Sequence, residues 1–407
     1  MRAGLPLGSV GFHQAMTPNS LILSAATIAL LGCQAAEAPL ASEATTAPTE
    51  SAQSKVQMTD VTTMEQGWKM TQVVGGIRRP WGMCWLPDGR ILITQKEGGL
   101  ALVKDGSFTS IPIEGGPEVN AGGQGGVMDI ALHPDYASNK LVYITLSTGP
   151  GNANKTVLIR GKFDESRISN VEVLYSNPQT KGGGLHFGSR IVFTKDKTIF
   201  LTIGDGNNMR QFVQDKKSHF GKVLHLTDTG KPAKGNPYET DSSFAPEVWS
   251  YGHRNAQGLA MDHASGRLFL NEHGARMGDE VNMVKKAANY GWPLATFSIE
   301  YSGQPITDKT SLPGMEDPMV VWNPNPAPSG LAFYTGNVFP KWKGDLFSGG
   351  LAGSDIRRID LDGSGKVIGQ TKLQIGTRVR DVRQGPDGYL YFLTDEGNGR
   401  LMRIEPA

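Results

Sequence analysis

Pro80–Gln95, PWGMCWLPDGRILITQ, carries the rule by which this chain is built. A small or polar lead is followed by an apolar strand, a Pro-Asp-Gly turn and a second apolar strand. Asp-Gly between runs of alternating apolar residues favours a tight antiparallel hairpin. The phrase returns as GGVMDIALHPDYASNKLVYIT from Gly125, FGSRIVFTKDKTIFLTIGD from Phe187 and NAQGLAMDHASGRLFLNEHG from Asn255. It returns again as SGLAFYTGNVFPKWKGDLFSGG from Ser329 and VRDVRQGPDGYLYFLTDEG from Val379. Six copies at irregular intervals of roughly sixty residues suit four-stranded blades with long loops. The fold class expected is all-β, a six-bladed β-propeller. A sandwich or a solenoid would not naturally produce six copies of one two-strand phrase.

Composition agrees with this reading. The 407 residues include 52 glycines and 24 prolines, and only 19% are charged, which suits short strands and tight turns. Helix signals are sparse; Glu280 to Ala288 is the one stretch expected to make a short helical turn. The formal net charge of +1 leaves no basic footprint, so nucleic acid is not an expected partner.

The first residues read as a targeting signal. Leu21–Leu31 is an apolar run of signal-peptide length, too short to span a bilayer. It ends in Leu30-Leu31-Gly32-Cys33, which resembles the lipobox of bacterial lipoproteins, whose cysteine is acylated. Residues 1–33 are therefore expected to be a lipoprotein-type signal peptide. Residues 34–57, rich in Ala, Thr, Ser, Glu and Pro, are expected to be a disordered tether, and residues 58–407 the propeller. Gln34 after Cys33, rather than aspartate, points by the same resemblance to export and anchoring at the outer membrane. With Cys33 so used, the remaining cysteine, Cys84, reads as an inert buried thiol.

Charge and glycine crowd together between Tyr251 and Pro293, YGHRNAQGLAMDHASGRLFLNEHGARMGDEVNMVKKAANYGWP. Glycines let backbone approach a ligand closely, and charged groups supply hydrogen bonds and ligands. Loops leaving propeller strands gather at one end of a central channel, so His186, Arg254, Gly274 and Arg380, all at repeat edges, are expected to face one pocket. Asp279 reads equally well as a ligand or as a turn cap. His133, His253, Glu272 and His273 are expected to be structural.

The phrases GGQGGVMDIALHPDY, LHFGSRIVF, YGHRNAQG, NEHGARMGDEVN, NYGWPLATFSIEYSG and RVRDVRQGPDGYLYFLTDE together resemble the soluble PQQ-dependent aldose sugar dehydrogenases, relatives of soluble glucose dehydrogenase. The resemblance runs from about residue 66 to the end. It implies oxidation of an aldose at C1 to the lactone, with hydride passing to PQQ and electrons then to an external acceptor other than oxygen, such as a cytochrome or quinone. His186 matches the general base, a role suited to an imidazole titrating near neutrality. Arg254 matches a residue near the quinone and sugar, where it would stabilise developing charge. Gln124, Asn255 and Tyr301 match further cofactor contacts, and Arg378 and Arg380 match the arginines that hold the PQQ carboxylates. The carbonyls of Gly274 and Ala275 match ligands of a Ca²⁺ that bridges PQQ. The Glu280 carboxylate and Tyr290 carbonyl match a second, structural ion. Three positions depart from the pattern, one of them Ala275, where the family has proline and a backbone ligand survives the change. Leu185 stands where the glucose dehydrogenases place an acidic residue before the base, and Ala352 stands where they offer a lysine. Two other readings compete: a Ca²⁺-dependent lactonase-type propeller hydrolase, and a cell-surface binding propeller that has lost PQQ.

Overall fold

Each of the six phrases folds as the first two strands of one antiparallel sheet. The structure, a computed structural model, describes residues 53–407. The expected signal peptide and most of the expected tether lie outside the described residues. Blade 1 comprises Pro80–Trp85, Ile91–Gln95, Leu100–Lys104 and Ser107–Ile111. Blade 2 runs through Val127–Leu132, Leu141–Thr148, Lys155–Phe163 and Ile168–Ser176; blade 3 through Gly188–Phe193, Ile199–Ile203, Lys222–Leu226 and Val248–Tyr251. Blade 4 holds Ala256–Asp262, Arg267–Glu272, Asp279–Val284 and Val320–Trp322, with Met58–Thr59 added in parallel at its outer edge. Blade 5 holds Pro328–Phe333, Leu346–Gly350, Asp355–Leu361 and Val367–Gln374. Blade 6 takes Val379–Gln384, Leu390–Thr394 and Asn398–Pro406 from the end of the chain and its outermost strand, Trp68–Arg78, from near the start. This shared blade closes the ring. The architecture is the six-bladed β-propeller expected, with almost no helix. Glu280 to Ala288 differs from expectation: Asp279–Val284 is a strand, because Val281 and Val284 pack inward while Glu272 and Glu280 pair across the ladder. The one α-helix among the described residues is the single turn Tyr136–Asn139.

Between each pair of neighbouring blades lies a separate apolar cluster. Leu92, Ile111, Ile130 and Ile144 join blades 1 and 2; Ile77, Ile93, Met83 and Leu393 join blades 6 and 1. Fully burying one such side chain stabilises by about 1.5–3 kcal/mol, so each blade is held mainly by its neighbours.

The first strand of every blade touches the first strand of the next, and blade 6 touches blade 1 in the same way, so these strands ring the axis. At the third position of the six first strands stand Gly82, Asp129, Arg190, Gly258, Gly330 and Asp381. Each first strand is bulged here, with the ladder register shifting at this point in all six blades. The bulge turns the residue toward the axis and frees its N–H from the ladder. In blades 1 to 3 a buried threonine of the second strand accepts that N–H: Gly82 to Thr94 at 2.8 Å, Asp129 to Thr145 at 2.9 Å, Arg190 to Thr202 at 3.0 Å.

Three charges and three glycines fill the axis, and two of the glycines leave space that the carboxylates occupy. A Cβ on Gly82 would lie 2.8 Å from Asp129 Oδ1, and one on Gly330 would lie 2.2 Å from Asp381 Oδ1. Arg190, 1% exposed, donates to Asp381 Oδ1 at 2.8 Å, to Asp129 Oδ1 at 3.4 Å, to the Gln257 carbonyl at 2.6 Å and to the Arg380 carbonyl at 3.2 Å. Arg383 closes the cluster from below, reaching Asp129 at 2.6 Å and Asp381 at 3.1 Å. Beyond Arg383 the axis opens as an apolar funnel of ≈ 620 Å³. Cys84 lines it, half-buried rather than fully buried as expected. Burial pushes its thiol well above the usual range, so the unreactive protonated form persists.

Removing the guanidinium would leave two buried carboxylates sharing the single cation Arg383. Arg190→Met is expected to destabilise the protein by about 3–5 kcal/mol, the usual cost of breaking a buried ion pair from one side. Denaturant unfolding measures it, and a loss under about 1 kcal/mol would contradict the axial network's structural role.

Candidate active site

The opposite end of the axis collects the residues that precede the first strands and follow the second strands. His186 sits in the connection entering blade 3, with φ of 55°, a left-handed conformation uncommon outside glycine and asparagine. Two contacts hold it there. Its backbone N–H donates to Gln124 Oε1 at 2.8 Å, and its Nδ1 lies 2.6 Å from Asp205 Oδ1. Gln124 is itself fixed by donating its N–H to the Gly184 carbonyl at 2.6 Å. The adjoining Gly123 has φ of 58°, and a Cβ there would stand 2.3 Å from the same carbonyl.

Asp205 follows the second strand of blade 3 and is almost wholly buried. Trp292 Nε1–H donates to its Oδ2 at 2.9 Å and the Asn207 N–H to its Oδ1 at 2.7 Å. Burial alone would raise its pKa, but the hydrogen bond and charge of His186, then Arg254 and the Asn207 N–H, hold it below the ordinary value. An ionised Asp205 can only accept, so Nδ1 of His186 carries the proton and Nε2 is left as a bare acceptor. Burial lowers the His186 pKa, with Asp205 pulling the other way. Leu185, in the position where an acidic partner was sought, is 40% exposed and does not orient the ring.

Arg254 enters blade 4 from an equivalent edge. Its N–H donates to Glu272 Oε2 at 2.6 Å, and its guanidinium carbon lies 5.3 Å from the Trp292 ring centre. Its Nη1 donates to the carbonyls of His273, at 3.1 Å, and of Gly274. Asn255, wholly buried, accepts from the Gly188 N–H at 3.3 Å and from Gln257 at 3.3 Å. Its Nδ2 has no partner among the described residues. A buried donor left unpaired in this way costs about 1–3 kcal/mol, so it marks a place where a ligand acceptor belongs.

Arg378 and Arg380 both turn onto Asp395, which follows the second strand of blade 6. Arg378 Nε donates to Oδ2 at 2.8 Å; Arg380 Nε and Nη2 donate to Oδ1 at 2.9 and 2.8 Å. Two guanidiniums thus share one carboxylate, and Arg378 stays half-exposed. Lys96, after the second strand of blade 1, adds a third cation nearby. Its pKa is lowered by burial first and then by the charges of Arg79 and Arg380. His273 registers how closely the blades converge. Burial pushes it down to about 3, and Arg254, His186 and Arg380 all add to the shift.

Glu272 and Glu280 face each other across the second and third strands of blade 4. Like charges in direct register oppose one another. Glu272 is satisfied by the His253 ring at 2.9 Å, the Arg254 N–H and Asn282 at 3.1 Å. Glu280 has only a long contact from Asn282 at 3.4 Å, and burial with the Glu272 charge raises its pKa well above the carboxylate range. Gly274, Glu280 and Tyr290 line one small cavity with Glu272, Arg254 and Trp292, whose ≈ 10 Å³ is room for about one water or ion. Ala275 does not line it. Its carbonyl accepts from Asn325 Nδ2 at 3.3 Å, while the Gly274 carbonyl takes Arg254. Asp279 caps the turn, accepting the N–H groups of Gly274 and Ala327, both at 2.8 Å. Burial raises its pKa to about 7. Among the described residues no cluster of three or more His, Cys, Asp or Glu side chains is placed to hold a metal.

His253, His273 and His133 are structural, as expected. His253 is held between Ser250 and Glu272, His273 bonds the Pro328 carbonyl at 2.7 Å, and His133 takes the Asp135 N–H at 2.9 Å. Tyr301 lies in an exposed turn, 70% accessible, and makes no hydrogen bond to the other candidate residues. The residues overlooked in the sequence are Asp205, Trp292, Lys96 and Asp395. Three of them follow the second strand of their repeat by one or two positions, as Gly274 does, and that shared offset was the available signal.

Residues 77–403 match the glucose/sorbosone dehydrogenase family, and the chain belongs to it. Among its relatives is the aldose sugar dehydrogenase YliI of Escherichia coli K12, 40% identical over 335 residues, 80% of this chain and 90% of that protein. The solved apo-form of the soluble aldose sugar dehydrogenase from Escherichia coli superposes with a TM-score of 0.80 at 38% identity, covering 84% of this chain and all of that one. The PQQ-bound aldose sugar dehydrogenase of Streptomyces coelicolor gives 0.70 at 29% identity, covering 83% and 98%.

The carboxylate of Asp205 raises the His186 pKa both by hydrogen bond and by charge. Asp205→Asn is therefore expected to lower that pKa further and to release the ring from one tautomer. Titrating the imidazole nitrogen resonances tests this, and an unchanged or higher pKa would contradict it.

Proposed function

We propose that this protein oxidises aldose sugars at C1 to the lactone, using PQQ and Ca²⁺, and passes electrons to an external acceptor of the cytochrome or quinone class. The observation that carries the reading is the His186–Asp205 pair, which leaves a neutral, bare Nε2 at the end of the channel where Arg254, Asn255 and Arg380 converge. Bound PQQ supplies a two-electron acceptor for hydride, and bound Ca²⁺ a Lewis acid beside it.

The residues present suit these groups. Arg378 and Arg380, with Lys96 near them, offer more positive charge than Asp395 neutralises, as a carboxylate-bearing cofactor requires. Ala352 in place of the expected lysine leaves that count adequate. Asn255 Nδ2 supplies the unpaired donor, and Gln124 and Tyr301 would complete the contacts. The opposed Glu272 and Glu280, beside the Tyr290 backbone, suit a cation that would relieve their repulsion. A cation on the Gly274 and Ala275 carbonyls would compete with Arg254 and Asn325 for the same oxygens.

His186 Nε2 would take the proton of the C1 hydroxyl of the cyclic sugar as hydride leaves C1, so the sugar loses two electrons and two protons and its C1–OH becomes the lactone carbonyl. Asp205 holds the ring and stabilises the imidazolium that forms, and Arg254 steadies negative charge on the acceptor side. Residues 1–33 we assign to export and acylation at Cys33. The enzyme would then work on the periplasmic side, tethered to the outer membrane through residues 34–57. The end of that tether is already docked, Ser54 bonding Thr310 at 2.7 Å and Asp317 at 2.8 Å.

His186→Ala is expected to cut kcat by about 10²–10⁴-fold while PQQ absorbance is retained, read with a dye acceptor. Near-full activity would remove the base assignment. Because the His186 pKa lies below its usual 6.5, kcat/KM should stay level as pH falls through that value and drop only below it, where the imidazole protonates. An acid limb above pH 6.5 would exclude His186 as the group titrating. Calcium added to chelator-treated protein should raise the melting temperature, less so in Glu280→Gln; equal shifts in both would rule Glu280 out as a ligand.

A further inference from the structure

Trp292 touches both Asp205 and Arg254, yet it belongs to a third segment, the loop between the third and fourth strands of blade 4. We propose that Trp292 is a positioning residue for the base. Its indole N–H holds the Asp205 carboxylate in the rotation that serves His186 and draws off part of its charge, while its ring face sets the plane of Arg254. The proposal rests on the reading of His186 as the general base.

Three observations carry it. First, the two oxygens of Asp205 have separate duties. Oδ1 takes His186 Nδ1 at 2.6 Å and the Asn207 N–H at 2.7 Å, whereas Oδ2 takes only the indole N–H, at 2.9 Å, among the described residues. The Asp205 side chain is 1% exposed, so bulk water has little access to replace that donor. Second, the indole is itself braced. The Trp292 backbone N–H donates to the Gly252 carbonyl at 3.0 Å, and its carbonyl accepts Gln214 Nε2 at 2.8 Å. Gln214 in turn exchanges amide hydrogen bonds with Asn289, at 3.1 and 2.9 Å. The brace therefore spans a loop of blade 3, the entry to blade 4 and the loop that carries Trp292. Third, Arg254 depends on the ring face. Its guanidinium carbon lies 5.3 Å from the ring centre, within cation–π range. Only its Nη1 is bonded to protein by the guanidinium, on the carbonyls of His273 and Gly274. Nε and Nη2 make no hydrogen bond among the described residues, so the indole steadies a group whose remaining donors stay open to a ligand.

The indole donor acts on His186 in a definite direction. The charged groups facing the imidazole are the Asp205 carboxylate, which raises its pKa, and the Arg254 guanidinium and Lys181 ammonium, which lower it. His273, pushed down to about 3, is neutral. A hydrogen bond to Oδ2 stabilises the carboxylate charge there and weakens its pull at Oδ1. Without that bond Oδ1 attracts Nδ1–H more strongly, and the imidazolium gains. Loss of the donor should therefore raise the His186 pKa, opposite in sign to Asp205→Asn. A tryptophan that served only to fill space would leave the pKa where it is.

The test uses the full chain loaded with PQQ and Ca²⁺. Trp292 is replaced by benzothienylalanine, which keeps the bicyclic ring and lacks the N–H, and separately by Trp292→Phe, which loses the donor and much of the ring face. With the analogue, titration of the imidazole nitrogen resonances should give a higher His186 pKa than in the parent. The acid limb of kcat/KM should move up in pH with it, and KM for glucose should stay within about twofold. Trp292→Phe should lower kcat by up to about 10²-fold, because Arg254 loses its support as well. If glucose is oxidised but the analogue leaves the His186 pKa unchanged or lowers it, the positioning role is overturned and the reaction stands. If the parent oxidises no aldose and the analogue still raises that pKa, the base reading is overturned and the hold of Trp292 on His186 stands.

Discussion

A guanidinium with no access to water anchors this molecule. Arg190 lies on the axis where six first strands meet, and it is tolerable there only because Asp129, Asp381, Gln257 and the Arg380 carbonyl all reach it. Those partners come from blades 2, 4 and 6, so the charge is compensated only when the whole ring is in place. Apolar clusters between blades supply most of the stabilisation, but they are non-directional and would accept small slips. The axial network would not, since a bulge displaced by one residue points the charge into the sheet.

The chemistry inherits that geometry. His186, Arg254 and Arg380 stand immediately before or within first strands, one to four positions from the axial residues. Asp205, His273 and Asp395 stand just after second strands, the partners of those first strands in the ladder. A blade therefore delivers two positions to the same end of the channel, and the axial network sets their relative heights. Trp292 ties the halves together, touching Asp205 with its N–H and Arg254 with its ring face.

Much of the fold was legible because a hairpin needs local turn chemistry, and Asp88-Gly89 and Asp387-Gly388 supply it in adjacent residues. The single misreading of an element, a helical turn at Glu280, arose where two opposed acids broke the strand's apolar pattern; tertiary packing of Val281 and Val284 decided the outcome. The candidate site was legible only where resemblance pointed. Asp205 could not be read as the partner of His186, because nineteen residues and a β-turn separate them. The axial charges were also hidden. One Arg and two Asp scattered over three repeats look like ordinary strand polarity until closure brings them together. Glycine at two of the remaining axial positions, Gly82 and Gly330, is the trace they leave in the sequence, since each absent side chain is matched by a neighbour's carboxylate.

The strand Trp68–Arg78 has a consequence for how the protein is made. It is synthesised ahead of all six first strands, yet its ladder partner among the described residues is Asn398–Pro406, which follows every other strand. Through almost all of synthesis it remains an unpaired edge carrying Val74 and Ile77, the kind of surface that recruits other strands. Maturation of this protein is thus a race between the chain's tail and any competing strand for one vacant edge.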